Sequence, residues 1–368
     1  MSDPLDVDNF LFQMLYDSND IILQSNVLKS LQSRTKRFGY SININYFNKY
    51  ITSSLEKKFK YEATIAVLNE SYDPTNEDKT YEKRHYSLLI NELNYRSKLL
   101  IENIFKAFRI AYPDNPVKKF YFNTYYYDLL SSDRVRKDNA TSVLEQILPK
   151  KLYLLLFDLF AIEDFANPNR ERDFKEAAQE KFGFDLNEKN LLDYLYTEND
   201  YWLKLILDYG NNEVGEDMLN KMDRVNFLNK TEVFKEVPNE ILFQLADKAK
   251  EKEYLNGKDI ITQGKVVDSL FVIYKGTIDI LIGNDGKSVA EFGPKEVLGE
   301  IELFRAAENQ FAVATARAKG EVICIILKKN DFDEVLDTNI DLARALIRSL
   351  GERLEKMNMR IKEIEAKE

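Results

Sequence analysis

The chain has 368 residues, 44% apolar and 12% aromatic, with a formal net charge of −10. This is enough apolar material for two or three domains, and the acidic balance argues against nucleic-acid binding, which relies on clustered Lys and Arg. One histidine (His85), one cysteine (Cys324) and 62 carboxylates without a distinctive spaced pair exclude a disulfide framework, a His- or Cys-rich metal site and a Ser-His-Asp triad, so no catalytic or metal residue is assigned and the chain reads as non-enzymatic.

From the start, Met-Ser-Asp-Pro-Leu-Asp is acidic and lacks the basic and apolar regions of a secretory signal, which favours a cytoplasmic protein. The long apolar runs, residues 152–157 and 159–162, are interrupted by Asp158 and fall short of the roughly 20 residues of a membrane span. Between Lys79 and Tyr112, Leu89, Leu93, Leu100, Ile104, Phe105 and Phe108 recur at helical spacing. Breaks at Pro113, Pro116, Pro149 and Pro168 divide the region into paired helices, and residues 1–225 are expected to form one helical domain. Tyr125, Tyr126 and Tyr127 are read either as interface anchors or as packing between helices. Trp202 is expected in a core and His85 on a helix surface.

The segments Ile104–Pro113, Tyr125–Leu130, Asp133–Ala140, Val143–Pro149 and Leu152–Leu159 resemble the HEAT-like region of bacterial transporter-related proteins that look like nucleotide translocases. The resemblance covers about Leu89 to Phe160 and implies helical repeats whose concave face binds a protein partner, the chain being the soluble portion without the membrane part, with a membrane transporter domain as a partner and a location at the cytoplasmic face of the membrane. Stacking would follow because one helical hairpin cannot bury its apolar face alone. A generic helical domain is the alternative.

Near residue 225 the pattern changes: eight of the 13 glycines lie between Gly257 and Gly320. Short runs rich in Val, Ile, Phe and Tyr are separated by Asn-Gly, Gln-Gly, Lys-Gly and Asn-Asp-Gly, dipeptides and tripeptides that close hairpins. The expectation is an α+β chain, with helices followed by a β-barrel or sandwich over residues 226–338 and a terminal helix over 339–368. Leu228 to Leu242, then Glu253–Gly257, Asp259–Gly264, Asp268–Gly276 and Thr277–Ile282, resemble cyclic-nucleotide-binding domains, which implies a jelly-roll barrel with a glycine at each hairpin corner.

Val297 to Ala318 resembles that family's phosphate-binding cassette. Gly299 permits close backbone approach, and the helix it opens points unsatisfied N–H groups at an anion. The resemblance implies cAMP or cGMP as ligand, with Gly299, Glu300, Ile301, Ala312, Val313 and Thr315 in the site and Glu300 holding the ribose 2′-OH. Aligning Ala314-Thr315 with the family's Ala-Thr places Ala312 where an arginine neutralises the phosphate. Val313 makes the floor less polar, and Glu302 adds negative charge where many relatives have alanine. Arg305 and Arg317 are the cations near enough in sequence to compensate. These departures predict a regulatory or interaction protein with an altered pocket; the alternative is a working cyclic-nucleotide or small-anion sensor.

At the end of the chain, Ile340, Ala343, Ile347, Leu350, Leu354, Met357, Ile361 and Ile364 recur at alternating steps of three and four, the seam of a left-handed coiled coil. The seam predicts a homodimer, or else a helix packed over its own barrel.

Overall fold

The computed structural model describes residues 4–38, 44–72, 83–111, 128–129, 131, 133–164, 167–283, 288–300, 311–340, 342–348, 351 and 355. The chain divides into two compact units, Met1–Leu207 and Asp208–Glu368.

The first unit contains α1 (Pro4–Asp17), α2 (Ile21–Phe38), α3 (Ile44–Ser71), α4 (Tyr86–Ala111), α5 (Arg134–Ile147), α6 (Lys150–Ile162), α7 (Arg170–Phe182) and α8 (Glu188–Thr197), and α9 (Tyr201–Gly210) runs across the division. Helix α3 is buried on every side along Tyr61–Ala66, as a central helix must be. It packs against α4, α6, α7 and α8, while α2 packs on α4. A repeat array passes contacts between consecutive units; here they converge on α3, and the region is a mostly helical bundle in which HEAT-type repetition is not shown. Of the expected breaks, Pro149 separates α5 from α6 and Pro168 lies between α6 and α7. Pro113, Pro116 and Tyr125 to Tyr127 lie outside the described residues.

Two single aromatic residues differ from expectation. His85 lies in the turn before α4 and is only 6% exposed, its ring edge-on to Tyr86 at 4.7 Å. Burial, with Arg84 and Lys83 beside it, lowers its pKa to about 4. Trp202 is half-buried rather than enclosed, because it stands in the first turn of α9, where its N–H donates to the capping carboxylate of Asp200 at 2.9 Å.

Charge enters the centre of this bundle in paired form. Lys58, 3% exposed, reaches Glu62 at 3.1 Å and Glu163 at 2.7 Å and donates to Ser97 Oγ at 2.8 Å. Arg170 Nη2 holds the other oxygen of Glu62 at 2.7 Å. Burial works to raise the Glu62 pKa, but Lys58 and Arg170 outweigh it and hold the carboxyl below its ordinary range. A second cluster joins Arg96 to Glu92 and Asp200, both at 2.7 Å.

The second unit begins with α10 (Glu216–Asn229) and α11 (Asn239–Lys248), followed by β1 (Lys250–Tyr254), β2 (Asp259–Ile261), β3 (Ser269–Leu281), β4 (Ser288–Phe292), β5 (Val297–Leu298), β6 (Thr315–Lys328) and α12 (Lys329–Thr338). The antiparallel sheet has the order β1-β6-β3-β4, with β2 on β6 and β5 on β3. The expected closed barrel is corrected: β1 and β4 end the pairing path, and no pairing joins them among the described residues. The physical reason lies in β3 and β6. They pair from Ser269↔Lys328 to Leu281↔Thr315 through register shifts around Lys275, and each half of β3 takes its own further partner, β5 or β4. Gly276 is likewise inside β3 instead of at a hairpin corner. At φ +90°, with a Cβ barred by the Glu321 carbonyl, it makes the irregularity that bends the strand. Gly257 and Gly264 do occupy turns, at φ +79° and +76°.

Replacing Lys58 with Met removes the cation that Glu62 and Glu163 share and leaves Glu62 to Arg170 and Ser97, and is expected to cost up to about 3 kcal/mol in urea unfolding followed by circular dichroism. The folded-state pKa of Glu62 is depressed, so its contribution is complete above an unfolded value of about 4.3 and is lost as pH falls through the lower folded value. The gap between the wild type and Lys58→Met is therefore expected to narrow on acidification; a gap that stays constant contradicts the pairing.

Candidate functional site

The start of the cassette is built by β5 lying on β3, with Leu298 opposite Phe271 and Val297 opposite Val272. This pairing carries Gly299 against the first residue of β3. A Cβ at Gly299 would meet Ser269 O at 2.5 Å and Val267 Cγ1 at 3.2 Å, and its φ is +85°, so glycine is required twice over. Glu300 follows at a helical position and is 7% exposed. Ile301, Glu302 and Arg305 lie outside the described residues.

The return segment is pinned by backbone. Ala312 N–H donates to Lys265 O and its carbonyl accepts from Gly264 N–H, both at 2.8 Å, and Phe311 bridges Val266. Ala312 is 4% exposed and belongs to an apolar cluster that includes Val267, Phe271, Leu298, Ala316 and Ala318. Thr315 Oγ1 accepts from Gln263 N–H at 3.0 Å, and the Gln263 side chain accepts from Gly283 N–H at 3.2 Å. The hydroxyl thus fastens the turn before β3 to the start of β6, a use that only the fold reveals.

Two expectations change. Val313 is 49% exposed and is not a floor residue, because the side chain next to an inward Ala312 turns outward. Arg317 points outward too, between buried Ala316 and Ala318, and its Nε donates to Asp259 Oδ1 at 2.6 Å in the β2–β6 pairing. Asp259, unremarkable in the sequence, raises the Arg317 pKa by this hydrogen bond and its charge. Arg317 is therefore not a second cation for the interior.

In the terminal segment, Leu342, Ala345 and Leu346 are buried while Ile340 and Ile347 are 65% and 68% exposed. Arg348 Nε reaches Glu236 at 2.6 Å. The face packed on the chain's own unit is thus not the predicted seam. Leu350, Leu354, Met357, Ile361 and Ile364 lie outside the described residues. Among the described residues no group of three or more His, Cys, Asp or Glu forms a metal cluster, and no helix is long and apolar enough to cross a membrane.

Residues 251–339 match the family model described as "Cyclic nucleotide-binding domain". The C-terminal unit therefore carries a domain of this regulatory, non-catalytic type. The human protein "Cyclic nucleotide-gated channel beta-1" is 26% identical over 139 residues, 38% of this chain and 11% of the relative. "Potassium channel GORK" of Arabidopsis thaliana is 28% identical over 145 residues, 38% of this chain and 17% of the relative. The chain spans less than a fifth of the length of these two relatives. Among solved structures, the regulatory subunit of a cAMP-independent protein kinase A from Trypanosoma brucei is 28% identical, with 37% of this chain and 47% of that chain covered and a TM-score of 0.31.

Gly264 and Gly299 separate two costs. Gly264 has a left-handed φ and open space, so Gly264→Ala is expected to cost about 1–2 kcal/mol. Gly299→Ala adds a collision with backbone and is expected to cost clearly more in thermal unfolding. Equal losses contradict the close approach to Ser269.

Proposed function

We propose that this chain is a non-enzymatic regulatory protein whose cyclic-nucleotide-binding-type domain does not take up cAMP or cGMP at micromolar concentration, and whose helical unit contacts a protein partner. One observation carries the reading: Ala312 stands buried in the apolar cluster at the position where the family resemblance calls for an arginine. Without that cation a cyclic phosphate forfeits a charge-assisted contact of about 1.5–3 kcal/mol, roughly ten- to a hundredfold in affinity. Arg317, engaged with Asp259, supports the same reading.

A second reading, a sensor for a cyclic nucleotide or other small anion, is favoured by the left-handed Gly299 and the buried Glu300. Sensing would require the ligand to bind two conformations with different affinity. Calorimetry with cAMP, cGMP and a cyclic dinucleotide distinguishes the two. The wild type is expected to give no binding heat below millimolar ligand, and Ala312→Arg is expected to gain at least about tenfold in affinity for cAMP. Micromolar binding by the wild type would sink the first reading.

The terminal helix serves, in the same proposal, as a homodimer seam. Ile340 and Ile347 stay outside the face formed by Leu342, Ala345 and Leu346, so intramolecular packing leaves them available. Light scattering is expected to give twice the monomer mass for the wild type and the monomer mass for Ile347→Asp. A wild-type monomer at micromolar concentration removes the dimer.

A further inference from the structure

In the second unit, Lys221, Arg224, Lys248, Lys319, Lys329 and Arg348 each hold a carboxylate. Half-buried Lys230 has none among the described residues; the charge acting on it is that of Lys295, another cation. The backbone brings these residues together. Lys230 closes α10, its N–H donating to Phe227 O at 3.1 Å, and the Phe227 ring meets Tyr274 edge-on at 4.8 Å. The residue before Tyr274, Ile273, accepts Lys295 N–H at 2.8 Å and donates to Glu296 O at 3.0 Å. Lys295 is consequently held at the flank of Tyr274, whose side is open at 46% exposure.

Two nearby acceptors have partners within the chain. Leu228 O receives Thr231 N–H at 3.0 Å and Thr231 Oγ1 at 2.7 Å, and the Glu296 carboxylate accepts Gly293 N–H at 2.6 Å. Asn229, 8% exposed, has an Nδ2 with no acceptor among the described residues. Lys295 keeps a φ of +74°, a backbone state costly for a residue with a Cβ. Burial and Lys295 together hold the Lys230 ammonium below its usual pKa. The backbone thus sets two cations, from the end of α10 and from the turn before β5, on either side of Tyr274.

We propose that Lys230, Lys295 and Tyr274 form an anion-binding niche on the second unit, and that its ligand is a phosphate-type oxyanion. Two ammonium groups and a phenol match a tetrahedral dianion, whose several oxygens accept from separate donors. None of the three belongs to the cassette, so the niche stands whether or not cyclic nucleotides bind there.

The test is thermal unfolding of the full chain in rising inorganic phosphate, with chloride at matched ionic strength as reference. A ligand that binds the folded state raises the midpoint as its concentration passes Kd. The wild type is expected to show a phosphate-specific rise, and Lys230→Met to lose at least about tenfold in apparent affinity. Lys230→Arg retains the response. Lys295→Gly relieves the left-handed backbone, so it is expected to unfold no earlier than the wild type without phosphate and yet to respond weakly to it. That pairing separates binding from folding. No phosphate-specific rise in the wild type, or a rise in Lys230→Met or Lys295→Gly as large as the wild type's, overturns the niche.

Discussion

The antiparallel ladder between β3 and β6 is the constraint on which the second unit depends. It pairs residues from Ser269↔Lys328 to Leu281↔Thr315 and bends at the irregularity beside Gly276. Because β5 pairs with the first half of β3, the ladder sets how closely Gly299 approaches Ser269. Because β6 starts at Thr315, it also sets which side chains next to the cassette turn inward. A slip of one residue would exchange Ala316 and Ala318 with Arg317, placing a guanidinium in the apolar cluster. The register is therefore protected by both burial and charge.

The strand period also separates chemistry by face. Ala312, Ala316 and Ala318 belong to the apolar interior, while Arg317 pairs with Asp259 outside it. Small side chains at the start of β6 pack in one buried cluster with larger residues such as Phe271 and Leu298, and the Arg317–Asp259 pair lies on the outer face. Hence closeness in sequence does not put a cation on the same face: Arg317 is five positions from buried Ala312 and pairs with Asp259 on the outer side.

Much of this architecture was legible because its signals were local. Glycine clustering marked the β region, the three-and-four spacing of α4 marked a helix, and Gly299-Glu300 marked a close backbone approach. What was not legible depended on long-range partners. Lys275-Gly276 had the composition of a hairpin corner, but its role was decided by Glu321 and Val322 across the ladder. Closure into a barrel could not be inferred from alternation, since the same strands also make an open pairing path. The centrality of α3 was hidden for a related reason: Lys58 and Glu62 look like a solvated helix pair until Glu163, Arg170 and Ser97 arrive from distant segments. Terminal-helix periodicity was visible, but the buried face at Leu342, Ala345 and Leu346 was not, because a seam and a docking face can run along one helix at different angles.

The two units handle interior charge in opposite ways, and the contrast bears on Ala312. In the bundle, Lys58 and Arg96 are buried with carboxylates already supplied by the chain, so their desolvation is offset on folding. An arginine at 312 would enter a cluster whose core is apolar, and without an anion to face it the desolvation would cost several kcal/mol. A phosphate ligand would remove that cost, making stability and ligand binding interdependent. Alanine breaks this dependence: the sheet can close its apolar interior without a bound anion, while Gly299 remains necessary because its contact is with the Ser269 backbone. A glycine at 299 and an alanine at 312 thus answer to different constraints, the first to the path of the chain and the second to the balance of charge inside it.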